Sequence, residues 1–359
     1  MEFYKVNVAE VIKETPDAIS IGFETEALKE IFDHFIPGQH LTLKLNINNK
    51  EVRRSYSISS IPHEPQLRIT VKQVKKGLVS NHLVEKIDKG SVLEISKPEG
   101  HFTITPDPEK SHSYYFFAAG SGITPVLSMI RSLLEHEPKS TVHLLYGNRK
   151  EDNIIFYEKL KSLQTKYEGQ FFAEFTLSQS GKGLLPFFSS SKDHWTGWKG
   201  RINKKLINTF CEKYPSRTKE KSFYICGPGN MIEDVKKELT ALGNDPKTIH
   251  AEYFSTPATT AGDSKAAFVS SANITFHLNG QQHQLQIPGN KKILDSLMDA
   301  GFDPPYSCCS GACSTCMAKI IKGSVHMDVA LALEQDEIAA GYILTCQSRP
   351  TSEELEIKY

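Results

Sequence analysis

No apolar run in this 359-residue chain approaches the ~18–20 residues that a membrane-spanning helix needs. Neither charge is in excess: Lys plus Arg and Asp plus Glu number 42 each, which removes any global electrostatic case for a nucleic-acid partner. The first residues, Met1-Glu2-Phe3-Tyr4-Lys5-Val6, alternate in polarity and lack the layout of a secretory signal, so a cytoplasmic protein with no membrane contact is expected. Cysteine is sparse as well, seven in all, and in a reducing compartment disulfides are disfavoured.

The cysteines that are present are unevenly placed. Cys308, Cys313 and Cys316 stand as C-x4-C-x2-C, and 29 residues separate Cys316 from Cys346. This is the spacing by which a plant-type ferredoxin loop holds a [2Fe–2S] cluster. Such a loop must fold tightly inward and aim backbone N–H groups at sulfur, which suits the small residues Ser310, Gly311 and Ala312. Zinc is the main rival, but zinc ribbons pair their ligands twice and here the fourth cysteine is alone. Disulfides are the remaining alternative. Cys309 competes with Cys308 for the first position, though choosing it shortens the first spacing to x3. Cys211 and Cys226 lie far upstream and belong to other sites.

A chain of this length holds two or three domains. Residues 1–107 contain six short alternating segments, at 4–11, 18–23, 40–45, 54–59, 67–74 and 91–96, with a helix starting near Ser80; this predicts an antiparallel β-barrel. Over 108–255 the pattern becomes strand–helix alternation: strands at 114–118, 141–146 and 222–225, helices at 124–135, 154–163 and 231–242. That predicts a doubly wound α/β domain around a parallel sheet. Residues 256–267 are small or polar without periodicity and read as a flexible linker whose coil span is roughly 20 Å. Residues 268–359 hold a hairpin at 274–287 turning on Asn279-Gly280, a helix at 292–300 and the cysteine loop, the makings of a β-grasp-like ferredoxin domain.

Four upstream motifs carry chemistry, each with a plain structural alternative. Arg54-Ser55-Tyr56-Ser57 ends a barrel strand; arginine suits a pyrophosphate, tyrosine covers an aromatic ring system, and serine hydrogen-bonds a ring nitrogen. Aromatic and polar residues also alternate in any half-exposed strand. Gly77-Leu78-Val79-Ser80 opens a helix and offers backbone N–H groups, or is an ordinary Ser80 cap. Gly120-Ser121-Gly122-Ile123-Thr124-Pro125 joins strand to helix where a dinucleotide pyrophosphate would rest, although Thr124 as cap and Pro125 at the first helical position are sound helix-start chemistry alone. Cys226-Gly227-Pro228 follows a later strand at the same sheet edge, where the simplest account of Cys226 is a buried structural thiol.

Taken in this order, the motifs resemble the ferredoxin–NADP reductase superfamily over essentially the whole chain. With the C-terminal ferredoxin they resemble the reductase subunits of multicomponent oxygenases of the phenylacetyl-CoA epoxidase type. The resemblance implies that Arg54 contacts the FAD pyrophosphate, Tyr56 stacks on the flavin, and Ser57 approaches the N5 that receives hydride, with Ser55 the variable motif position between them. It implies that Gly77 and Ser80 complete the phosphate cradle and that Gly120, Gly122, Thr124 and Pro125 hold the nicotinamide dinucleotide. Cys226, with Gly227 and Pro228, would position the nicotinamide without acting as a covalent nucleophile. Glu252 and Phe254, in Glu252-Tyr253-Phe254, would approach the flavin, and Cys308, Cys313, Cys316 and Cys346 would ligate the cluster. Cys309 departs from the family's usual pattern.

The second strand of the α/β domain ends in Tyr146-Gly147-Asn148-Arg149-Lys150, and Arg149 favours NADPH over NADH because a cation suits a 2′-phosphate. Glu151 and Asp152 follow, so a mixed solvated turn is the alternative. The implied activity is transfer of electrons from NADPH through FAD and the [2Fe–2S] cluster to an external oxygenase, in phenylacetate catabolism. A reductase serving another oxygenase (aromatic-ring, steroid or alkane) is the alternative, and a cluster-bearing sensor or carrier without reductase activity a more distant one. Acidic residues Asp328, Glu334, Asp336 and Glu337 could dock a basic partner or form an ordinary solvated face.

Overall fold

The computed structural model describes residues 1–180, 195–254 and 269–359. The expected linker at 256–267 lies outside the described residues.

The N-terminal third contains β1 (Phe3–Thr15), β2 (Ala18–Phe23), a single turn α1 (Lys29–Phe32), β3 (His40–Ile47), β4 (Lys50–Ser57), β5 (Leu67–Lys72), α2 (Leu78–Lys86) and β6 (Val92–Ser96). The strands pair antiparallel in the order β4-β3-β6-β1-β2-β5, and a bridge between Ile58 and Ile69 joins the two edges into the expected barrel. Inward side chains such as Val8, Ile21, Leu43, Ile69 and Ile95 are fully buried. All six expected strands are present. Helix α2 begins at Leu78 after Gly77, so Ser80 does not cap it; its Oγ instead accepts from the Val74 amide at 3.1 Å.

The middle region holds β7 (Ser113–Ala119), α3 (Ile123–His136), β8 (Thr141–Asn148), α4 (Tyr157–Lys166), β9 (Phe171–Leu177), β10 (Trp198–Lys199), α5 (Lys204–Lys213), β11 (Lys221–Gly227), α6 (Gly229–Ala241) and β12 (Ile249–Tyr253). The sheet is parallel throughout, in the order β10-β9-β8-β7-β11-β12. Strand β7 (SYYFFAA) is a continuous apolar run because helices cover both faces of the sheet. One face buries Leu127, Ile130 and Leu160 from α3 and α4, the other Phe210, Ile232 and Val235 from α5 and α6.

Two local expectations need correction. Helix α3 starts at Ile123 with Gly122 at its cap position, so Thr124 is not the cap and Pro125 is not its first residue; the Thr124 hydroxyl donates to the Ser121 carbonyl at 3.0 Å. Helix α4 starts at Tyr157, not near 154, because Ile154 and Ile155 are buried in a loop and Phe156 takes a left-handed φ of 63° just before the helix. Periodicity alone does not separate buried loop residues from a helical stripe.

The C-terminal region comprises β13 (Ser271–Leu278), β14 (Gln281–Pro288), α7 (Ile293–Asp299), β15 (Met317–Lys322), β16 (Val325–Met327), α8 (Gln335–Ala339), β17 (Tyr342–Leu344), β18 (Ser348–Pro350) and β19 (Glu354–Lys358). The main sheet has the order β14-β13-β19-β15-β17, with β13 and β19 parallel at its centre. Asn279 and Gly280 turn the β13–β14 hairpin with φ values of 52° and 77°, the left-handed pair a two-residue type I′ turn requires. Glu334 and Glu337 form a reciprocal capping box at α8, Asp336 accepts from the Glu337 amide at 3.0 Å, and Asp328 pairs with Arg349, so all four acidic residues singled out above have structural partners.

The Phe276 ring is fully buried against Phe302 at 4.8 Å, edge to face. Phe276→Ala should cost about 3–5 kcal/mol. The measurement is the urea midpoint for loss of the cluster's visible absorbance, which should fall while the near-UV signal of the other two regions holds.

Candidate functional site

One cleft of about 190 Å³ gathers residues from all three regions: His40, Arg54, Ser55 and Ser57 from the barrel, Glu252, Tyr253 and Phe254 from the end of β12, and Cys308, Ser310, Ala312 and Cys313 from the cysteine loop. Pairing of β3 with β4 sets His40 opposite Ser57, and pairing of β11 with β12 sets Cys226 beside Glu252. Ser57 Oγ then donates to Glu252 Oε2 at 3.5 Å, and Cys226 Sγ reaches the same oxygen at 3.9 Å. This joins a barrel motif to a sheet-edge motif at one carboxyl group. A larger cavity of about 250 Å³ lies at the opposite edge of the parallel sheet, lined by Tyr115, Asn208, Cys211 and Lys221 among others, and contains none of the motif residues.

Burial pushes the Glu252 carboxyl up to about 8, against the opposing pull of Ser57 and Cys226, so it stays largely protonated at neutral pH. Burial, with Glu252 beside it, also holds the Cys226 thiol well above its ordinary range. A neutral thiol is a poor nucleophile, so the environment of Cys226 suits positioning and not covalent chemistry.

The residues present suit a flavin. Arg54 is exposed, donates from Nη1 to the Arg53 carbonyl at 2.6 Å and has no carboxylate partner among the described residues, so its remaining N–H groups suit an anion. Tyr56, two residues on along the same face of β4 as Arg54, is half-buried against the barrel core, and burial raises its phenol strongly. Gly77 precedes α2, and a Cβ there would stand 2.5 Å from Ser80 Oγ, so only glycine fits this turn beside the exposed helix start. His40, which belongs to none of the sequence motifs, is 5% exposed and its Nε2 has no hydrogen-bond partner among the described residues although it borders the cleft. Its only sequence signal is a polar residue opening a barrel strand, on the face opposite the inward Leu41 and Leu43.

The dinucleotide motifs meet at the point where the parallel sheet reverses its winding, between β7 and its neighbours β8 and β11. A Cβ on Gly122 would lie 2.1 Å from the Cys226 carbonyl oxygen, so the turn after β7 packs directly on the end of β11 where Gly227 and Pro228 follow. Gly120 has a left-handed φ of 56° and open space above it, and its carbonyl accepts from the Tyr146 hydroxyl at 2.9 Å. The turn is therefore braced from below and open from above, and α3 directs its N-terminus there together with Thr124 and Pro125. Arg149 follows the end of β8, exposed and outside the cleft.

The cysteine donor set suits an iron–sulfur cluster. The sulfurs of Cys308, Cys313, Cys316 and Cys346 are near enough that each thiol's ionisation depends on its neighbours in the group. Donation from Cys313 and Cys346 holds the Cys308 thiol far below its ordinary value. The Ser310 amide points at Cys308 Sγ at 3.4 Å and Gln347 Nε2 at Cys346 Sγ at 3.7 Å, the kind of donors that moderate thiolate charge. Among the described residues no three His, Cys, Asp or Glu side chains are placed to surround one ion. Paired thiolates are what the two irons of a [2Fe–2S] cluster take. Cys309 has a left-handed φ of 54°, is exposed, and turns its thiol to the Ser307 carbonyl at 3.8 Å, away from the four.

Comparison with known proteins agrees region by region. Residues 5–104 match the oxidoreductase FAD-binding domain, 116–237 the oxidoreductase NAD-binding domain and 276–351 the 2Fe-2S iron-sulfur cluster binding domain. One component of the 1,2-phenylacetyl-CoA epoxidase of Escherichia coli (strain K12) is 36% identical over 360 residues, covering 99% of this chain and 98% of that protein. The chain belongs to the family of flavin- and iron–sulfur-containing oxygenase reductases. It is an NAD(P)H oxidoreductase of the ferredoxin-reductase type, built to pass electrons through FAD and a [2Fe–2S] cluster. The ferredoxin reductase component of 3-ketosteroid-9-alpha-monooxygenase from Rhodococcus rhodochrous is 31% identical, covering 99% of this chain and 96% of the relative. Phthalate dioxygenase reductase shares the fold, with a TM-score of 0.60 at 23% identity over 99% of this chain and 98% of that structure. Among the described residues of this reductase no helix is long and apolar enough to cross a membrane.

Glu252 gives a signed pH dependence. A carboxyl whose folded value is raised from 4.5 to about 8 contributes stability that is complete below pH 4.5 and lost as pH rises toward 8. The melting temperature of the flavin-free protein should therefore fall between those limits by more than that of Glu252→Gln. Parallel profiles for the two proteins would remove Glu252 as the source.

Proposed function

We propose that this reductase takes electrons from NADPH and delivers them to the oxygenase of a phenylacetyl-CoA epoxidase system in the cytoplasm, with neither nucleic acid nor membrane as a partner. The observation that carries the electron route is the single cleft shared by Arg54, Ser55, Ser57 and Glu252 with Cys308 and Cys313, which leaves no intervening domain between flavin residues and cluster ligands. The choice of oxygenase rests on the 36% identity to the epoxidase component over nearly the full length of both chains.

Bound FAD supplies hydride acceptance and the cluster supplies one-electron release. The chain's own residues do the positioning. Arg54 binds the flavin pyrophosphate together with the Gly77–Ser80 helix start, where the Ser80 hydroxyl, already accepting from Val74, can still donate. Tyr56 covers one face of the ring system, while Ser57 and His40 present polar atoms to its edge. Gly120, Gly122 and Thr124, with Pro125, hold the nicotinamide dinucleotide at the switch point. Cys226, Gly227 and Pro228 guide the nicotinamide toward Ser57, and the protonated Glu252 keeps a net charge out of that space. Phe254, 42% exposed at the rim, shields the site from water. Arg149 selects the 2′-phosphate of NADPH over NADH.

Two measurements test this. Cys313→Ser should lose the cluster's visible absorbance and the reduction of the cluster's acceptor while keeping NADPH–ferricyanide turnover; loss of both activities would contradict separate flavin and cluster steps. With the epoxidase oxygenase components and phenylacetyl-CoA added, NADPH oxidation should rise and yield epoxide. Ferricyanide reduction without that coupling would move the partner to another oxygenase, the steroid type being represented among relatives at 31% identity.

A further inference from the structure

Strand β4 carries a second arginine, Arg53, directly before the flavin motif, and none of the roles above uses it. It is only 4% exposed, unusual for an arginine on a barrel strand. Its Nη2 pairs with Asp303 Oδ1 at 2.8 Å and with Glu51 Oε1 at 2.7 Å. Its guanidinium lies 4.4 Å from the centre of the Tyr306 ring and 5.1 Å from that of Phe3. Two residues along the same face, Ser55 Oγ donates to Ser307 Oγ at 2.7 Å, and Ser307 is 1% exposed. Asp303, Tyr306 and Ser307 form the segment that leads into Cys308, so every one of these partners except Glu51 and Phe3 belongs to the ferredoxin region.

Alternation of side chains along a strand gives the arrangement its meaning. Arg54 and Tyr56 face one way, Arg53, Ser55 and Ser57 the other, so the face that carries Ser57 to the cleft also grips, through Arg53 and Ser55, the approach to the first cluster ligand, while Arg54 and Tyr56 occupy the opposite face. We propose that Arg53, supported by Ser55, is a positioning residue that docks the ferredoxin region in its electron-receiving pose by holding Asp303, Tyr306 and Ser307. The contact is suited to reversible use. Asp303 remains 61% exposed in its side chain, and Tyr306 contributes a flat face without a further charge, so release leaves few charges stranded.

The inference rests on the electron route proposed above, and the test separates the two. Fully loaded wild-type, Arg53→Ala and Asp303→Asn proteins are mixed anaerobically with NADPH, and flavin bleaching and cluster bleaching are followed separately by stopped flow. In parallel, the radius of gyration of each protein is measured by small-angle X-ray scattering. Arg53→Ala should slow cluster reduction by about tenfold or more, as expected for loss of a docked geometry, with flavin reduction unchanged and an increased radius. Asp303→Asn, on the ferredoxin side and exposed, should act in the same direction by about threefold without touching the barrel, and it carries the test if Arg53→Ala does not fold. Rescue of docking by Arg53→Lys should be partial, since lysine keeps the charge and loses the stacking plane. Wild-type rates and radii in both variants would overturn the docking role. A wild-type cluster that is not reduced through the flavin would overturn the electron route instead, while the radii would still decide whether Arg53 docks.

Discussion

A β-strand has two faces and no third, and that constraint organises this molecule. Along β4 it forces the Arg54–Tyr56 pair and the Arg53–Ser55 pair apart, at the fixed pitch of the backbone. A flavin motif written on such a strand therefore has a reverse side whose position is already determined. Here the reverse side touches the cysteine loop. The strand's residues thereby border one cleft together with the cluster ligands Cys308 and Cys313.

The parallel sheet contributes the complementary edge. Its winding reverses at β7, and the turns after β7 and β11 come together there through the close approach of Gly122 to Cys226. Strand β12 ends at the same edge and presents Glu252 to Ser57. The two regions are pinned to one another on the far side by α3, where Ser128 Oγ donates to the Ser60 carbonyl at 2.6 Å and Arg131 pairs with Glu64 at 2.6 Å. The first is buried and the second partly so, which lets them hold direction as well as proximity.

Much of this was legible in the sequence because it is local. Alternation marked all six barrel strands, the Asn279-Gly280 turn marked its hairpin, and the cysteine spacing marked Cys308 over Cys309, whose backbone conformation turns it outward. Helix starts were less legible. Thr124 and Pro125 have the composition of a cap and a first turn, yet the tight glycine turn lets the helix begin earlier, at Ile123. Long-range contacts were not legible at all. Nothing in the text Arg53-Arg54 says which arginine meets an anion and which meets Asp303, a residue 250 positions away. His40 shows the same limit, since its place in the cleft follows from the pairing of β3 with β4 and from how the cysteine loop packs against them.

The approach of Gly122 to the end of β11 has an evolutionary side. A single-base change that replaces glycine with another residue always adds a Cβ, and at this position that atom would fall 2.1 Å from a main-chain oxygen. Backbone cannot step aside as a long side chain can, so this codon tolerates silent changes and no single-base change that alters the residue. Gly120, two residues earlier, has free space around it and is held only by its left-handed φ. Asparagine visits that conformation at modest cost and can fold there, though its side chain would enter the open space proposed for the dinucleotide. Drift along this turn is therefore uneven, closed at one glycine and ajar at the other, within a span of three residues.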